Sequence, residues 1–578
     1  MAQRQLALAL ASALLVVADA FFVSPPSLHS RAAVSGRVHA GGSAPLGGRS
    51  AVLSKMLTGR PLSLQAPRMT VVGDASPGVS EEASGVTFSP IAWRKHWYPV
   101  AMEEFTTKDT PFAFTLLGTK LVIWFDLVAQ EWRAVNDKCP HRLAPLSEGR
   151  VNAAGDIECP YHGWAFSGAD GTCTTMPQKP KDDAMPAKAC VSTYATARQD
   201  GMIWVWADEV LPGSPLPSTE LIHTIEAMTD GHRAKHSISV ENFFADLPYD
   251  ATMAVENVID VSHVAFTHHK TQGLRQFAAP VAYKLEAPIT MGGFVTLQNS
   301  SSTWTDSDIR VRPLQTIFDA PHYQHTRLPI MGGKAAAYLG TYATPTTPGR
   351  SRLFLRLVTE DIPKVFQTIK TIQELFKPKF LQHHMRLSVL EDDNIFLHVQ
   401  ERELAIKTGA NMATGATAWG KKLSDGEMDA AANKWAQSYL LPTLSDSPVI
   451  SYRRWLAKAG PIDWAPGTNL NLGEPQSREE LMERYLTHVE HCSLCKESLA
   501  RVKTSRNVLA VAVPVVALTG RAILQVVFPE LGWWKAAGVA WSLAGAGGAA
   551  WAVLGKWQKG FYKGTYPPPR NQGPAGGP

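Results

Sequence analysis

Apolar residues form three long runs along the chain, and the first predicts a targeting segment. Leu6–Val17 is mostly apolar, follows a single arginine and precedes the small-residue stretch Ala-Asp-Ala. About twelve apolar residues are too few to cross a bilayer, but they suit the central region of a signal peptide. We therefore predict a signal peptide over residues 1–20.

Two further apolar runs lie near the C-terminus. Ala536–Gly555 has no charged residue over 20 positions and is flanked by tryptophans, as expected of a membrane-spanning helix. Val508–Phe528 is weaker, because Pro514 and Arg521 interrupt it. It is either the first helix of a hairpin or a buried core helix, so we predict a transmembrane region over 507–556.

The segment after the signal peptide lacks acidic residues from Phe21 to Gly73, and arginines are spread among Ser, Ala and Gly. This composition predicts a transit peptide over 21–75. A signal peptide followed by a transit peptide that starts with Phe resembles the presequence of algae with complex plastids. The mature protein is expected to begin between Met69 and Val86. At the other end, Pro and Gly predict a disordered tail over 557–578.

The composition is that of a globular protein with more than one domain. The chain has 578 residues, 19% of them charged and 45% hydrophobic. The net charge of +5 arises largely from the first 70 residues, so it does not indicate nucleic-acid binding. Six cysteines are too few and too scattered for a disulfide framework.

The clearest candidate chemistry is a C-x-H followed by a C-x-x-H, formed by Cys139, His141, Cys159 and His162. Structural zinc normally takes paired cysteines or paired histidines at other spacings. One Cys and one His in each half instead suit a Rieske [2Fe–2S] cluster, in which two thiolates bind one iron and two imidazoles the other. The residues that favour tight ligand loops are Pro140, Pro160 and Gly163. The apolar strand pattern "GMIWVWADE" closes this domain.

A second candidate metal site follows in D-x2-H-x4-H, formed by Asp260, His263 and His268. Asp260 and His263 would share a helical face. His263 and His268 lie roughly 140° apart on an ideal helix, so they can meet one metal only if the helix breaks between them. Two histidines and a carboxylate form the facial triad of non-haem iron oxygenases.

The carboxylate of this triad is expected far downstream. Asp392 and Asp393 are both candidates, and we favour Asp393. His269 is a rival ligand to His268. His383 and His384 are expected to be solvated.

The order of these motifs resembles the pheophorbide a oxygenase group of Rieske non-haem iron oxygenases, which includes Tic55-like proteins and chlorophyllide a oxygenase. The matching stretches are "CPHR…CPYHGW", "DLPYDATMAVENVIDVSHVAFTHH" and "RYLTHVEHCSLC". The resemblance implies an α+β chain with an all-β Rieske domain and then a catalytic domain with an antiparallel sheet. The domains we predict are a Rieske domain over 90–206, a catalytic domain over 207–480 and a CxxC segment over 481–500.

The resemblance also implies the function and the partners. Relatives take electrons from reduced ferredoxin and use O2 to oxygenate a tetrapyrrole, so we expect a plastid membrane enzyme that acts on pheophorbide a and faces the stroma. Chlorophyllide a, protochlorophyllide and a bilin are alternative substrates, and a Tic55-like redox component of plastid import is a non-enzyme alternative. In a head-to-tail homotrimer, Asp260 would be catalytic by bridging His162 of one subunit to His263 of the next.

The C-x-x-C of Cys492 and Cys495 leaves several roles open. The two residues are expected to form a redox pair, read by thioredoxin. They could also be two reduced thiols without a function, or a zinc half-site with His488 or His491.

Overall fold

The structure is a computed structural model of the chain. The residues it describes are 90–180, 182–278, 280–299, 314–330, 334–368 and 377–571. The predicted signal peptide, the predicted transit peptide and the expected start of the mature protein lie outside these residues.

The first domain is built on a six-stranded antiparallel sheet, with its strands in the order β1-β10-β9-β4-β3-β2. The longest strand of this sheet, β10, shows why its sequence is a continuous apolar run from Met202 to Ala207. Successive side chains of a strand point to opposite faces. Ile203 and Val205 pack into one core, whereas Trp204 and Trp206 pack into another. Because both faces are covered, the strand cannot alternate with polar residues. The strands are Trp97–Met102 (β1), Phe112–Leu116 (β2), Thr119–Asp126 (β3), Glu131–Asn136 (β4), Thr193–Gln199 (β9) and Met202–Val210 (β10).

A smaller antiparallel sheet in the order β5-β6-β7-β8 lies between β4 and β9 in the chain. Its apolar side chains pack with Val122, Trp124 and Val135 of the larger sheet into a third core. Cys139 and Cys159 belong to that same core, so the packing of the two sheets fixes both cysteine-bearing loops. The strands are Arg150–Val151 (β5), Ile157–Glu158 (β6), Ala165–Phe166 (β7) and Cys173–Thr175 (β8).

The second domain is built on a seven-stranded antiparallel sheet in the order β11-β17-β16-β15-β14-β13-β12. Its two longest strands, β16 and β17, pair with each other and carry much of the core. The strands are Ile238–Leu247 (β11), Ala282–Leu285 (β12), Gly293–Asn299 (β13), Leu314–Asp319 (β14), Tyr323–Ile330 (β15), Ala335–Thr347 (β16) and Arg350–Glu360 (β17).

Helices fill the connections and the C-terminal third of the chain. The helix that matters most for the site is α4, which has 29 residues and buries a face that carries several charged side chains. The helices are Asp230–Arg233 (α1), Ala251–Ile259 (α2), Val264–Thr267 (α3), Phe380–Thr408 (α4), Asp425–Ala432 (α5), Trp435–Ser438 (α6), Ser447–Ala459 (α7), Arg478–Leu481 (α8), Ser493–Val527 (α9) and Trp533–Gly560 (α10).

The predicted fold class is confirmed: an all-β domain precedes an α+β domain with an antiparallel sheet, and two apolar helices follow. Both α9 and α10 are long and apolar enough to cross a membrane. In the most apolar 18-residue stretch of each helix, only 6% of α9 and 11% of α10 is buried within the protein. This exposure argues against a buried core helix in either place and favours the hairpin.

The C-terminal tail is ordered where disorder was predicted. Helix α10 runs on to Gly560, and Phe561 is fully buried. The Gly564 N–H donates to the carbonyl of Met482, and Arg570 is 9% exposed. The prediction of a disordered tail is therefore wrong for 557–571, because specific contacts outweigh the Pro- and Gly-rich composition. Residues 572–578 lie outside the described part of the chain.

The hairpin generates the first testable prediction. Its exposed apolar surface requires lipid or detergent. We expect the protein to remain in the membrane pellet after extraction of plastid membranes with alkaline carbonate, and to be released by detergent. Complete release by carbonate would show that α9 and α10 do not span the bilayer.

Candidate active site

The two loops predicted to hold the Rieske cluster have the same local geometry. In each loop the cysteine N–H donates to a carbonyl five residues on, Ala144 for Cys139 and Trp164 for Cys159. Each cysteine carbonyl accepts an N–H from the residue four positions on, Leu143 or Gly163. Those two residues have positive φ, 62° and 72°. The two tight turns therefore hold their cysteines in the same way, as a shared cluster requires.

The thiols and imidazoles of these loops lie at different depths. Cys139 and Cys159 are each 2% exposed, whereas His141 is exposed and His162 is half-buried. The two imidazole rings lie 4.6 Å apart, and Trp164 stacks on His141 at 4.4 Å. Burial, with the adjoining Cys159 thiol, raises the pKa of Cys139 to about 11. Thiolates at this depth need a positively charged partner, so the donor set fits a cluster whose histidine side faces the surface.

The second site is positioned by a break in the helix that carries its motif. Helix α2 ends at Ile259, and Asp260 adopts an extended conformation with ψ 90°. The Asp260 carboxylate then accepts the Ser262 N–H at 3.0 Å and begins a single 3-10 turn. Helix α3 follows and ends at Thr267, one residue before His268. His263 and His268 can therefore face one metal despite their five-residue spacing, because the helix ends before His268.

This break brings three predicted ligands together. The Nε2 atoms of His263 and His268 lie 3.3 Å apart. One Asp393 carboxylate oxygen lies 3.9 Å from His263 Nε2, and the other lies 3.3 Å from His268 Nε2. Potential ligand atoms of these three residues all lie within 4.8 Å of one another. Two imidazoles and one carboxylate this close together suit the facial triad of a non-haem iron, which leaves open positions for O2 and substrate.

Asp392 occupies a different place from Asp393. Its Oδ2 lies 3.5 Å from His268 Nδ1, on the side of the ring away from the other ligands, and accepts a hydrogen bond from Thr271 at 2.6 Å. Its Oδ1 lies 3.1 Å from the guanidinium of Arg570. A carboxylate beside the second nitrogen of a metal-binding imidazole orients the ring and raises its basicity. This geometry suits Asp392 for support and Asp393 for ligation.

The electrostatics of the site favour a cation. Burial lowers the pKa of His268, but the Asp393 and Asp392 carboxylates outweigh it and raise the pKa to about 9. Without a metal, a proton therefore occupies His268 at neutral pH. A metal ion supplies the same positive charge between the carboxylates and leaves the imidazole neutral for ligation.

Two further predicted residues, His269 and Asp260, lie outside the three-residue group. His269 is buried, but its ring accepts the Arg275 N–H at 3.3 Å and is not part of the three-residue group. Asp260 lies beside His263: its backbone carbonyl accepts the His263 Nδ1–H, and its carboxylate lies 3.9 Å from the same nitrogen. The Asp260 side chain is 34% exposed.

The expectation for the two histidines at the start of α4 is wrong. His383 is only 6% exposed, and His384 is partly buried against Phe561. His383 instead lies with the predicted redox pair. Cys492 and Cys495 are both fully buried free thiols, and their sulfur atoms lie 3.6 and 3.3 Å from His383 Nδ1.

Sequence reasoning missed Arg570, which supports the candidate iron site from the far end of the chain. Besides its ion pair with Asp392, it donates to the backbone carbonyls of Asp392 and Thr267. Nothing in "YPPPRNQ" marks it. A signal does exist on α4, where three consecutive acidic residues interrupt the apolar stretches "VL" and "IFL" and require partners if they are buried.

Two family profiles match the chain. A Rieske [2Fe-2S] domain covers residues 96–195, and a pheophorbide a oxygenase domain covers 318–410. The fold and the two sites define a Rieske non-haem iron oxygenase, with a [2Fe–2S] cluster and a mononuclear iron as cofactors.

Several curated plant proteins are similar over most of the chain. Pheophorbide a oxygenase of Oryza sativa subsp. japonica is 30% identical over 76% of this chain and 80% of that protein. Flavonoid 8-hydroxylase 2 of Ocimum basilicum is 28% identical over 71% and 74%. Protein TIC 55 of Arabidopsis thaliana is 27% identical over 77% and 79%. The chain belongs to the pheophorbide a oxygenase family. These relatives are chloroplast proteins, which supports a plastid location.

The different places of Asp392 and Asp393 generate the second prediction. We expect Asp393→Ala to lose the mononuclear iron, so that total iron falls from about three to about two per chain, with an unchanged Rieske spectrum. Asp392→Asn is the matched control, since it keeps the size of the supporting side chain and should retain the iron. Iron analysis and visible spectroscopy measure both. Iron loss in Asp392→Asn but not in Asp393→Ala would reverse the assignment.

Proposed function

We propose that this protein is a ferredoxin-dependent monooxygenase that uses O2 to oxygenate pheophorbide a, a flat and largely apolar chlorophyll-derived ring. The observation that carries the proposal is the group of His263, His268 and Asp393 within 4.8 Å, in a chain that also has Rieske ligand loops. The rice relative, named for pheophorbide a, supports the choice of substrate.

Each metal centre has a stated set of ligands in this proposal. Cys139, His141, Cys159 and His162 hold the [2Fe–2S] cluster, and His263, His268 and Asp393 hold the mononuclear iron. When bound, the cluster supplies electrons one at a time and the mononuclear iron supplies the activation of O2. The protein holds the ligand rings in place, through the Asp260 carbonyl on His263 and Asp392 beside His268.

Electron transfer in this proposal crosses between subunits of a homotrimer. The Asp260 carboxylate bridges His162 of one subunit to His263 of the next. Two features support this role: Asp260 is a third exposed beside His263, and the predicted histidine ligands of the cluster lie towards the surface. The carboxylate would accept an imidazole N–H from the neighbouring subunit, while the Asp260 backbone carbonyl already holds the His263 Nδ1–H, so this one residue joins the two centres.

The alternatives differ in substrate or in class. Chlorophyllide a, protochlorophyllide or a bilin would use the same iron site with a differently shaped pocket, and the basil relative adds a flavonoid. A Tic55-like redox component of plastid import would not need a complete facial triad. The complete set of His263, His268 and Asp393 therefore favours an enzyme. A plastid membrane, with the catalytic body towards stromal ferredoxin, fits the C-terminal hairpin.

The substrate proposal has a direct test. The purified protein is incubated with reduced ferredoxin, isotopically labelled O2 and a panel of pheophorbide a, chlorophyllide a, protochlorophyllide, a bilin and a flavone. We expect mass spectrometry to find labelled oxygen in a product of pheophorbide a, and none with Asp393→Ala. Label in another substrate but not in pheophorbide a would reject the substrate and keep the oxygenase.

The bridging role of Asp260 gives a further prediction. Asp260→Asn keeps the size of the side chain but removes its charge, so both iron centres should stay and turnover should cease. In single-turnover kinetics, oxidation of a pre-reduced cluster should slow by orders of magnitude. Asp446→Asn is the matched control, because this nearby carboxylate only caps the turn at Thr443.

The outcomes separate the possible roles of Asp260. A normal rate of cluster oxidation in Asp260→Asn would mean that electrons take another route. Loss of the mononuclear iron would mean that Asp260 is needed for ligation, and the triad would have to be reassigned.

A further inference from the structure

We infer that His383, His488, Cys492 and Cys495 bind a structural zinc ion. Three of these residues lie within eight positions, at the start of α9, and the fourth, His383, comes from a distant part of the chain. His383 lies in the first turn of α4, Cys495 lies in the first turn of α9, and Cys492 precedes that helix. A potential ligand atom of each lies within 4.8 Å of those of the other three.

The distances between the four side chains are those of a tetrahedral site. His383 Nδ1 lies 3.0 Å from His488 Nε2, and Cys495 Sγ lies 3.3 and 3.4 Å from these two nitrogens. Cys492 Sγ lies 3.6 Å from His383 Nδ1. Ordinary zinc bonds in a tetrahedron would place two nitrogens ~3.3 Å apart and a nitrogen and a sulfur ~3.6 Å apart. The cluster therefore needs only small adjustments to hold zinc.

The orientation of His488 is already fixed for ligation. Its Nδ1–H donates to the carbonyl of Phe244 at 2.7 Å. The second nitrogen, Nε2, is therefore left with a lone pair directed towards the two thiols and His383. A backbone carbonyl in this place is a usual supporting partner of a zinc-binding histidine.

The surroundings favour a neutral metal centre over a redox pair. Cys492, Cys495 and His488 are fully buried, and the rings of Phe243 and Phe244 lie 4.9 and 5.0 Å from the His488 ring. Two thiolates, two neutral imidazoles and Zn²⁺ carry no net charge, which lowers the cost of burial in an apolar core. Thiols that exchange with thioredoxin must be accessible to it, whereas these two are not.

This site is separate from the iron site. His383 precedes Asp393 by ten residues on α4, a distance of ~15 Å along a helix axis. Zinc would join the start of the membrane helix α9 to the helix that carries the iron-site carboxylate, and through His488 to strand β11. We assign it a structural role in holding the catalytic body on its membrane hairpin.

Metal analysis of the full-length protein in detergent tests the inference. We expect about one zinc per chain beside the iron. The double variant Cys492→Ser/Cys495→Ser should lose at least about nine-tenths of that zinc. Cys190→Ser, which changes an exposed cysteine outside the cluster, is the matched control and should keep it. Wild-type protein with full iron but without zinc, even when zinc is supplied during expression, would overturn the inference.

X-ray absorption at the zinc edge on the wild-type protein keeps the test independent of the folding of the double variant. We expect about two sulfur neighbours at ~2.3 Å and two nitrogen neighbours at ~2.0 Å. Coordination by nitrogen and oxygen alone would mean that zinc binds elsewhere, and would overturn the assignment. A Cys492–Cys495 disulfide in the protein as isolated, found by mass spectrometry after alkylation, would also overturn it and favour the redox pair.

Discussion

Three consecutive carboxylates are buried on one helix, and the second domain is arranged around the groups that neutralise their negative charges. Glu391, Asp392 and Asp393 are each less than 9% exposed on α4. A buried carboxylate is costly unless it is paired. Glu391 pairs with Arg484, whose Nη2 lies 2.6 Å from its Oε2, and Asp392 pairs with Arg570. Asp393 faces two imidazoles, and a metal ion bound there would complete its compensation.

These pairs also tie the C-terminal hairpin of α9 and α10 to the candidate active site. Arg484 lies before α9 and Arg570 lies after α10, so both ends of the hairpin contact the same turn of α4. Removing either arginine would leave a buried charge uncompensated, an effect on the order of 3–5 kcal/mol. The tail that composition marks as disordered is ordered for this reason. The helix that carries Asp393 is thus held from both ends of the hairpin.

The sequence predicted sites whose residues lie close together in the chain better than it predicted contacts between distant residues. The Rieske loops and the D-x2-H-x4-H segment were readable because their residues lie within about 25 positions of one another. The order of domains followed from the same motifs, and the fold class followed from the resemblance they carry. Arg570, by contrast, meets Asp392 across 178 positions, and His383 meets Cys495 across 112. Such contacts depend on how the sheet and helices pack, which no local pattern records. The solvated state expected for His383 was wrong for that reason.

The central claim is that each chain holds two metal centres, a Rieske cluster and a mononuclear iron with open positions. Nitric oxide binds an open position of such a ferrous centre and makes it visible by electron paramagnetic resonance. In the anaerobically reduced protein, we expect nitric oxide to produce a high-spin iron–nitrosyl signal in addition to the rhombic Rieske signal, and Asp393→Ala to retain only the latter. A protein with the full Rieske signal and no nitrosyl signal, after reconstitution with ferrous iron, would contradict this account.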